Sequence, residues 1–113
     1  MTEDTFRDIA LSFDGALEGS HMGHPDFRAN GRIFASLHGN GVSGMVSLAP
    51  AQQTEVQRIY PSAFEPASGA WGRQGYTKVL LAAATVPAVR SAMLLAYQGA
   101  MEKPKARPRS RRT

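Results

Sequence analysis

Phe6, Ile9, Ala10, Phe13 and Leu17 recur at the three- and four-residue spacing of a helix face. Glu3 and Asp4 fall in the first turn, where the positive end of the helix dipole favours them. The pattern predicts one helix over residues 3–14, stopped at Asp14-Gly15. A period of two takes over further along. Asn30-Gly31 divides Asp26-Phe27-Arg28-Ala29 from Arg32-Ile33-Phe34-Ala35-Ser36-Leu37. Both central residues of a type I′ turn need positive φ, which Asn and Gly tolerate best, so this is a two-residue hairpin. That register sets Phe27 opposite Phe34. It puts Ile33, Ala35 and Leu37 on one face and Phe34, Ser36 and His38 on the other. Gly39-Asn40-Gly41 then leads into a strand at 43–49, where Gly44, Val46 and Leu48 alternate with Met45 and Ser47.

Pro50 suits a first helical turn, and the stripe Val56, Ile59, Tyr60 predicts a helix over 50–59, ended by Pro61. The Pro- and Gly-rich PSAFEPASGAWGRQG is expected to be mostly loop with a short edge strand. Tyr76–Ala83 reads as a strand, with Thr77, Val79 and Leu81 on one face. Thr85 caps a last helix at 86–100 whose Val86, Val89, Met93 and Ala96 turn inward. The order is α-β-β-β-α-β-β-α. It implies an α+β, two-layer sandwich, an antiparallel sheet with helices on one face.

Charge divides the chain. The overall balance is +4, but residues 103–113 carry two Lys and four Arg and no acid. Residues 1–102 therefore hold seven basic and nine acidic side chains, so the basic character belongs to the tail. KPKARPRSRRT has nothing apolar larger than Ala to offset its ordering entropy, and a disordered tail at 103–113 is expected beyond a single domain at 1–102. No run approaches the ~18 apolar residues of a membrane helix. The amphipathic, acidic start is neither a signal nor a transit peptide. There is no cysteine, which excludes thiol catalysis and disulfides and fits a cytoplasmic location.

Two motifs resemble a known family. Gly23-His24-Pro25-Asp26-Phe27-Arg28 with Gly31-Arg32-Ile33-Phe34-Ala35 is similar to the first hairpin of the MmcQ/YjbR family. Gly69-Ala70-Trp71-Gly72-Arg73-Gln74-Gly75-Tyr76-Thr77 resembles its later signature. Tyr76 stands where that family often has Trp, and Met22 where it often has an aromatic. The resemblance covers about residues 3–100. It implies a small bacterial protein with a YjbR-like fold, often labelled DNA-binding. It implies no catalytic residue set. It also makes Gly19-Ser20-His21-Met22, the letters of a cleaved tag scar, a native loop leading into the hairpin.

His21, His24, Asp26 and His38 have the chemistry of metal ligands, but H-x-x-H-x-D is not the spacing of an established zinc site. A turn in which imidazole or carboxylate bonds local backbone accounts for them more simply, so no metal and no cofactor is expected. No serine lies in GxSxG, and Glu55 and Glu65 show no convergence, so no enzyme is expected. The G-x-G-x-x-G of Gly39–Gly44 joins two antiparallel strands rather than opening a helix, and carries no dinucleotide.

Aromatics interleaved with cations stack bases and neutralise phosphates. Trp71, Arg73, Tyr76 and Lys78 form such a run; Arg28 and Arg32 extend it, and Lys103, Lys105, Arg107, Arg109, Arg111 and Arg112 supply tail charge. Packing of Trp71 at the sheet edge explains the same residues without a ligand. The first functional expectation is a non-enzymatic DNA- or polyanion-binding module. The alternative is a protein-interaction or small-ligand module with no nucleic-acid role.

Overall fold

The Asn30-Gly31 turn forms as expected, with φ of 55° and 74°. In the computed structural model, which describes residues 1–39 and 41–103, it joins β2 (His24–Ala29) to β3 (Arg32–His38). The register at the turn pairs Ala29 with Arg32 and Arg28 with Ile33. It then slips: Phe27 pairs with Ala35, not Phe34, and Asp26 with Ser36. Phe34 is the extra residue of a β-bulge, an irregularity that changes which face later residues occupy. The expected face assignment is corrected accordingly. Ile33 lies on one face, Ala35 and Leu37 on the other, and the bulged Phe34 is fully buried edge-on to Phe13 and Tyr97.

Gly19–Met22 is not a loop. Leu17–His21 forms β1, antiparallel to β2, and Met22-Gly23 closes a second tight hairpin with φ of 50° and 80°. Methionine rarely occupies the left-handed region, so only Gly23 signalled this turn. β4 (Ser43–Ser47) follows β3 as an antiparallel neighbour, so the chain between His38 and Ser43 is a hairpin connection and Gly44 belongs to the strand. β6 (Tyr76–Leu80) pairs with β4 on one side and with the short β5 (Phe64–Pro66) on the other. All pairings are antiparallel, in the order β1-β2-β3-β4-β6-β5.

Helices α1 (Glu3–Leu11), α2 (Pro50–Ile59) and α4 (Val86–Glu102) cover one face. A five-residue α3 (Gly69–Arg73), read from sequence as loop, sits against β5 and β6. Thr2 and Thr85 cap α1 and α4 by accepting from the Thr5 and Ala88 amides, each satisfying a donor that the helix itself cannot. α1 ends at Leu11 rather than 14, with the Ser12 hydroxyl donating to the Ile9 carbonyl. The two-layer α+β sandwich holds, with one strand and one short helix more than expected.

Phe6, Ile9, Phe27, Ala35, Leu37, Val46, Phe64, Val79, Val89 and Met93 fill the space between the layers. On α4, Val86 lies outside this core while Val89, Met93 and Ala96 are buried. On α2 the inward residues are Gln53 and Val56, and the expected Ile59 is half exposed. Gln53 has a specific task. Its Nε2 lies 3.0 Å from the Gly72 and Tyr76 carbonyls and 3.2 Å from Thr77 Oγ1, tying α2 to the α3–β6 corner. Among the described residues no helix is long and apolar enough to cross a membrane.

Candidate functional site

The period of two sends the residues between the core positions to the face that α1, α2 and α4 leave uncovered. Register carries one row straight across it: Gly19, Asp26, Ser36, Met45, Lys78 and Glu65 are successive neighbours on β1, β2, β3, β4, β6 and β5. His21, His24 and His38 lie on the same face beside that row, and so does Ile33, paired with Arg28. A groove of about 500 Å³ opens here, bounded by His21 and His38 at one side and by Trp71, Tyr76 and Lys78 at the other. Ile33 and Met45 contribute apolar floor and Ser36 and Ser47 hydroxyls.

Asp26 anchors the histidine side. It is fully buried, and its Oδ1 and Oδ2 accept from Arg28 Nε at 2.7 Å and Nη2 at 2.9 Å. His21 Nδ1 stands 2.8 Å from Oδ2. An ionised carboxylate only accepts, so that ring nitrogen carries a proton. The Arg28 hydrogen bonds hold the Asp26 carboxyl below the ordinary aspartate range against the opposing effect of burial, with His21 helping. Expectation had these groups bonding local backbone; the side chains bond each other instead.

All three histidines of the chain converge, with ring centroids 6.2 Å apart for His21–His24 and for His21–His38, and 4.6 Å for His24–His38. His38 Nε2 shares a 2.7 Å hydrogen bond with the buried Ser36 hydroxyl. Burial lowers the His38 pKa, and the neighbouring His24 and His21 lower it further. Among the described residues no group of three or more His, Cys, Asp or Glu side chains is disposed to hold a metal ion.

At the other end Trp71, on α3, stands edge-on to Tyr76 with ring centroids 5.0 Å apart and is 61% exposed. That exposure rules out a core role for Trp71. Two glycines make the corner possible. Gly75 has φ of 110°, and a Cβ on it would lie 1.9 Å from the Leu48 carbonyl oxygen; one on Gly72 would lie 2.0 Å from that of Ala67.

The residues expected to form a basic surface are only partly brought together. Trp71, Tyr76 and Lys78 share the groove, and Arg73 is exposed at the end of α3. Arg28 lies on the same face but is held by Asp26, and Lys78 Nζ is 3.6 Å from Glu65 Oε2. Arg32, opposite Ala29, falls on the other face of the sheet from Arg28, because neighbours along a strand alternate. Lys103 follows α4, where its carbonyl accepts from Asn30. Lys105, Arg107, Arg109, Arg111 and Arg112, with the rest of the expected tail beyond Lys103, lie outside the described residues. Sequence reasoning missed Ile33, Ser36, Met45 and Ser47 as groove residues. Alternation pointed to Met45 and Ser47 as a shared face, but nothing local said that this face stays uncovered.

No protein-family model and no curated protein matches the sequence. A solved structure does: Deinococcus radiodurans protein DR2400, a family-model domain DUF419, aligns with a TM-score of 0.72. The fold is that of a DUF419 domain. The alignment covers 90% of this chain and 80% of DR2400 at 15% identity, so it speaks for architecture and not for activity. DUF419 is the YjbR/MmcQ-like fold, in agreement with the resemblance of the two motifs.

Proposed function

We propose that this chain is a non-enzymatic binding module of MmcQ/YjbR type, acting in the bacterial cytoplasm, whose uncovered sheet face takes a small, flat, largely apolar molecule. The observation that carries the reading is the groove of about 500 Å³ between the histidines and Trp71. Its volume falls within the ~300–1,000 Å³ of small-molecule sites, and its make-up is theirs too, an apolar floor with a few polar groups at the edges. Trp71 and Tyr76 supply flat surfaces, Ile33 and Met45 the apolar floor.

The test uses 2-naphthamide, a neutral planar probe. Trp71 is the sole tryptophan, so its indole N–H gives a single reporter signal in a ¹H–¹⁵N spectrum. Saturable movement of that signal is expected, with a Kd of roughly 0.1–1 mM for a ligand of this size. Met45→Glu, which places a charge on the groove floor, should abolish it. No movement in the wild-type protein with either naphthamide or the matching acid, 2-naphthoate, sinks the reading.

A nucleic-acid role is the second reading, supported by the exposed Trp71 and the six basic residues of 103–113. Against it, Arg28 and Lys78 are already matched to carboxylates, and Arg32 and Lys103 lie away from Trp71. Binding of duplex DNA by the full chain and by residues 1–102, at two salt concentrations, separates the parts. Six phosphate contacts from the tail give a slope of log K on log salt of about −5. Absence of binding by both chains at low salt removes this reading.

A further inference from the structure

We infer that the ligand of this groove carries one carboxylate, seated at the His21–His38 end, where His24 packs behind His38, with its apolar body running toward Trp71 and Tyr76. The inference rests on the small-ligand reading and adds the ligand's charge and direction. Charge complementarity carries it. Among the described residues the carboxylate beside the histidines is Asp26, which is fully buried and already takes Arg28 through two nitrogens and His21 through Nδ1. His24 and His38 pack on each other with ring centroids 4.6 Å apart, and His38 lines the groove. A like charge this close disfavours the charged form of His38, and a carboxylate beside it favours that form.

The groups facing this end from each neighbouring strand are few. β1 contributes His21, β2 contributes His24, Asp26 and Arg28, and β3 contributes His38. β4 presents Ser43, Met45 and Ser47, none of them charged at this pH. Further across, Lys78 on β6 is opposed by Glu65 on β5. Asp26 is met by Arg28 and His21, and Lys78 by Glu65, so among the described residues His24 and His38 are the titratable groups left at this end. A carboxylate placed there raises the imidazole pKa in the complex. Binding is then strongest below the pKa of the free rings and weakens as pH rises through that of the complex. Burial and the other rings already lower the His38 value, and a ligand carboxylate acts in the opposite direction.

The experiment compares 2-naphthoate with 2-naphthamide, followed by the Trp71 indole signal between pH 8 and pH 5.5. A carboxylic acid with a pKa near ~4 stays ionised across this range, so only the protein titrates. Raising an imidazole pKa by about one unit corresponds to about a tenfold gain in affinity, which is the increase expected for naphthoate at pH 5.5 over pH 8. Naphthamide should show no such change. His24→Gln with His38→Gln should flatten the naphthoate profile, and circular dichroism verifies that this double variant is folded. The wild-type acid-to-amide comparison stands without any variant. Equal, pH-independent binding of both probes overturns the carboxylate inference and leaves the small-ligand reading standing. Failure of both probes to move Trp71 overturns the reading itself. A naphthoate pH profile that persists in the folded double variant refutes the seat at His24 and His38.

Discussion

Gly44 is a glycine inside the central strand β4, where the residue is normally a weakness, and replacing it with alanine tests how α1 meets the sheet. Its side-chain position points to the helix layer, between Leu37 and Val79 in the sheet. A Cβ there would lie 2.7 Å from two Phe6 ring carbons and 3.1 Å from the Ser36 carbonyl oxygen. Contact at ordinary distance needs about 3.5–4.0 Å, so the ring must retreat by close to 1 Å. It has little room to do so, because Phe6 is fully buried and tilted onto Phe27 with centroids 6.1 Å apart. Overpacking of this kind costs about 1–3 kcal/mol. Alanine recovers about 0.4–1 kcal/mol by restricting the unfolded chain. The expected net loss is about 1–2 kcal/mol. With a urea dependence of about 1–3 kcal/mol per molar, the midpoint of unfolding falls by about 0.5–1 M. Far-ultraviolet circular dichroism in urea measures this. Phe6→Leu removes the obstructing ring, so the double variant should lose less than the two single losses added together, since contacting sites couple. An unchanged or raised midpoint in Gly44→Ala, or strict additivity in the double variant, refutes the close approach as the reason for this glycine.

Other outcomes follow from the site. Asp26→Asn removes the ionised partner of Arg28 and His21; stability should fall at neutral pH, and the deficit should shrink in acid. The sign follows from the lowered Asp26 pKa: its contribution is present above the unfolded value near 3.8 and disappears as pH falls through the lower folded value, so urea midpoints at pH 7 and pH 3 give the check. A deficit independent of pH would show that the carboxylate charge is not what matters. Gln53→Leu fills the same space with an apolar side chain but removes the Nε2 hydrogen bonds to the Gly72 and Tyr76 carbonyls, which keep the Gly75 and Ala67 amides, at a cost of about 1–3 kcal/mol for the pair. The same change should shift the Trp71 indole signal, because Gly72 is its chain neighbour; a stable variant with an unmoved signal counts against the role of Gln53 in shaping the groove. The naphthamide and naphthoate titrations complete the set.

Much of the fold was legible because it is written in local chemistry. Asn30-Gly31 specifies its own turn, Thr85 announces the last helix, and the alternation around Val46 and Val79 specifies strands with one buried face. The candidate site was legible only in fragments. Trp71, Tyr76 and Lys78 stand close in sequence and stay close in space. His21, His24 and Asp26 attracted notice as ligands for a metal, while their actual relation, a carboxylate shared by an arginine and a histidine, depends on strand pairing. Arg28 and Arg32 looked equivalent in sequence and fall on opposite faces, because each step along a strand reverses direction.

Local chemistry specified the α+β class, the Asn-Gly hairpin, the apolar stripe of the first helix, the cap of the last and the concentration of positive charge at the end of the chain. Each is a matter of neighbours within a few residues, where backbone preference and periodicity act directly. Tertiary structure alone decided that Phe34 is bulged, that Gly19–His21 pairs as an edge strand, and that one face of the sheet is left open with three histidines at one end and Trp71 at the other. Those outcomes turn on which strand lies beside which and where the helices settle. A slip of one residue between β2 and β3 reassigns side chains between the core and the groove, and that slip is fixed by Phe34 finding Phe13 and Tyr97, partners far from it in the chain.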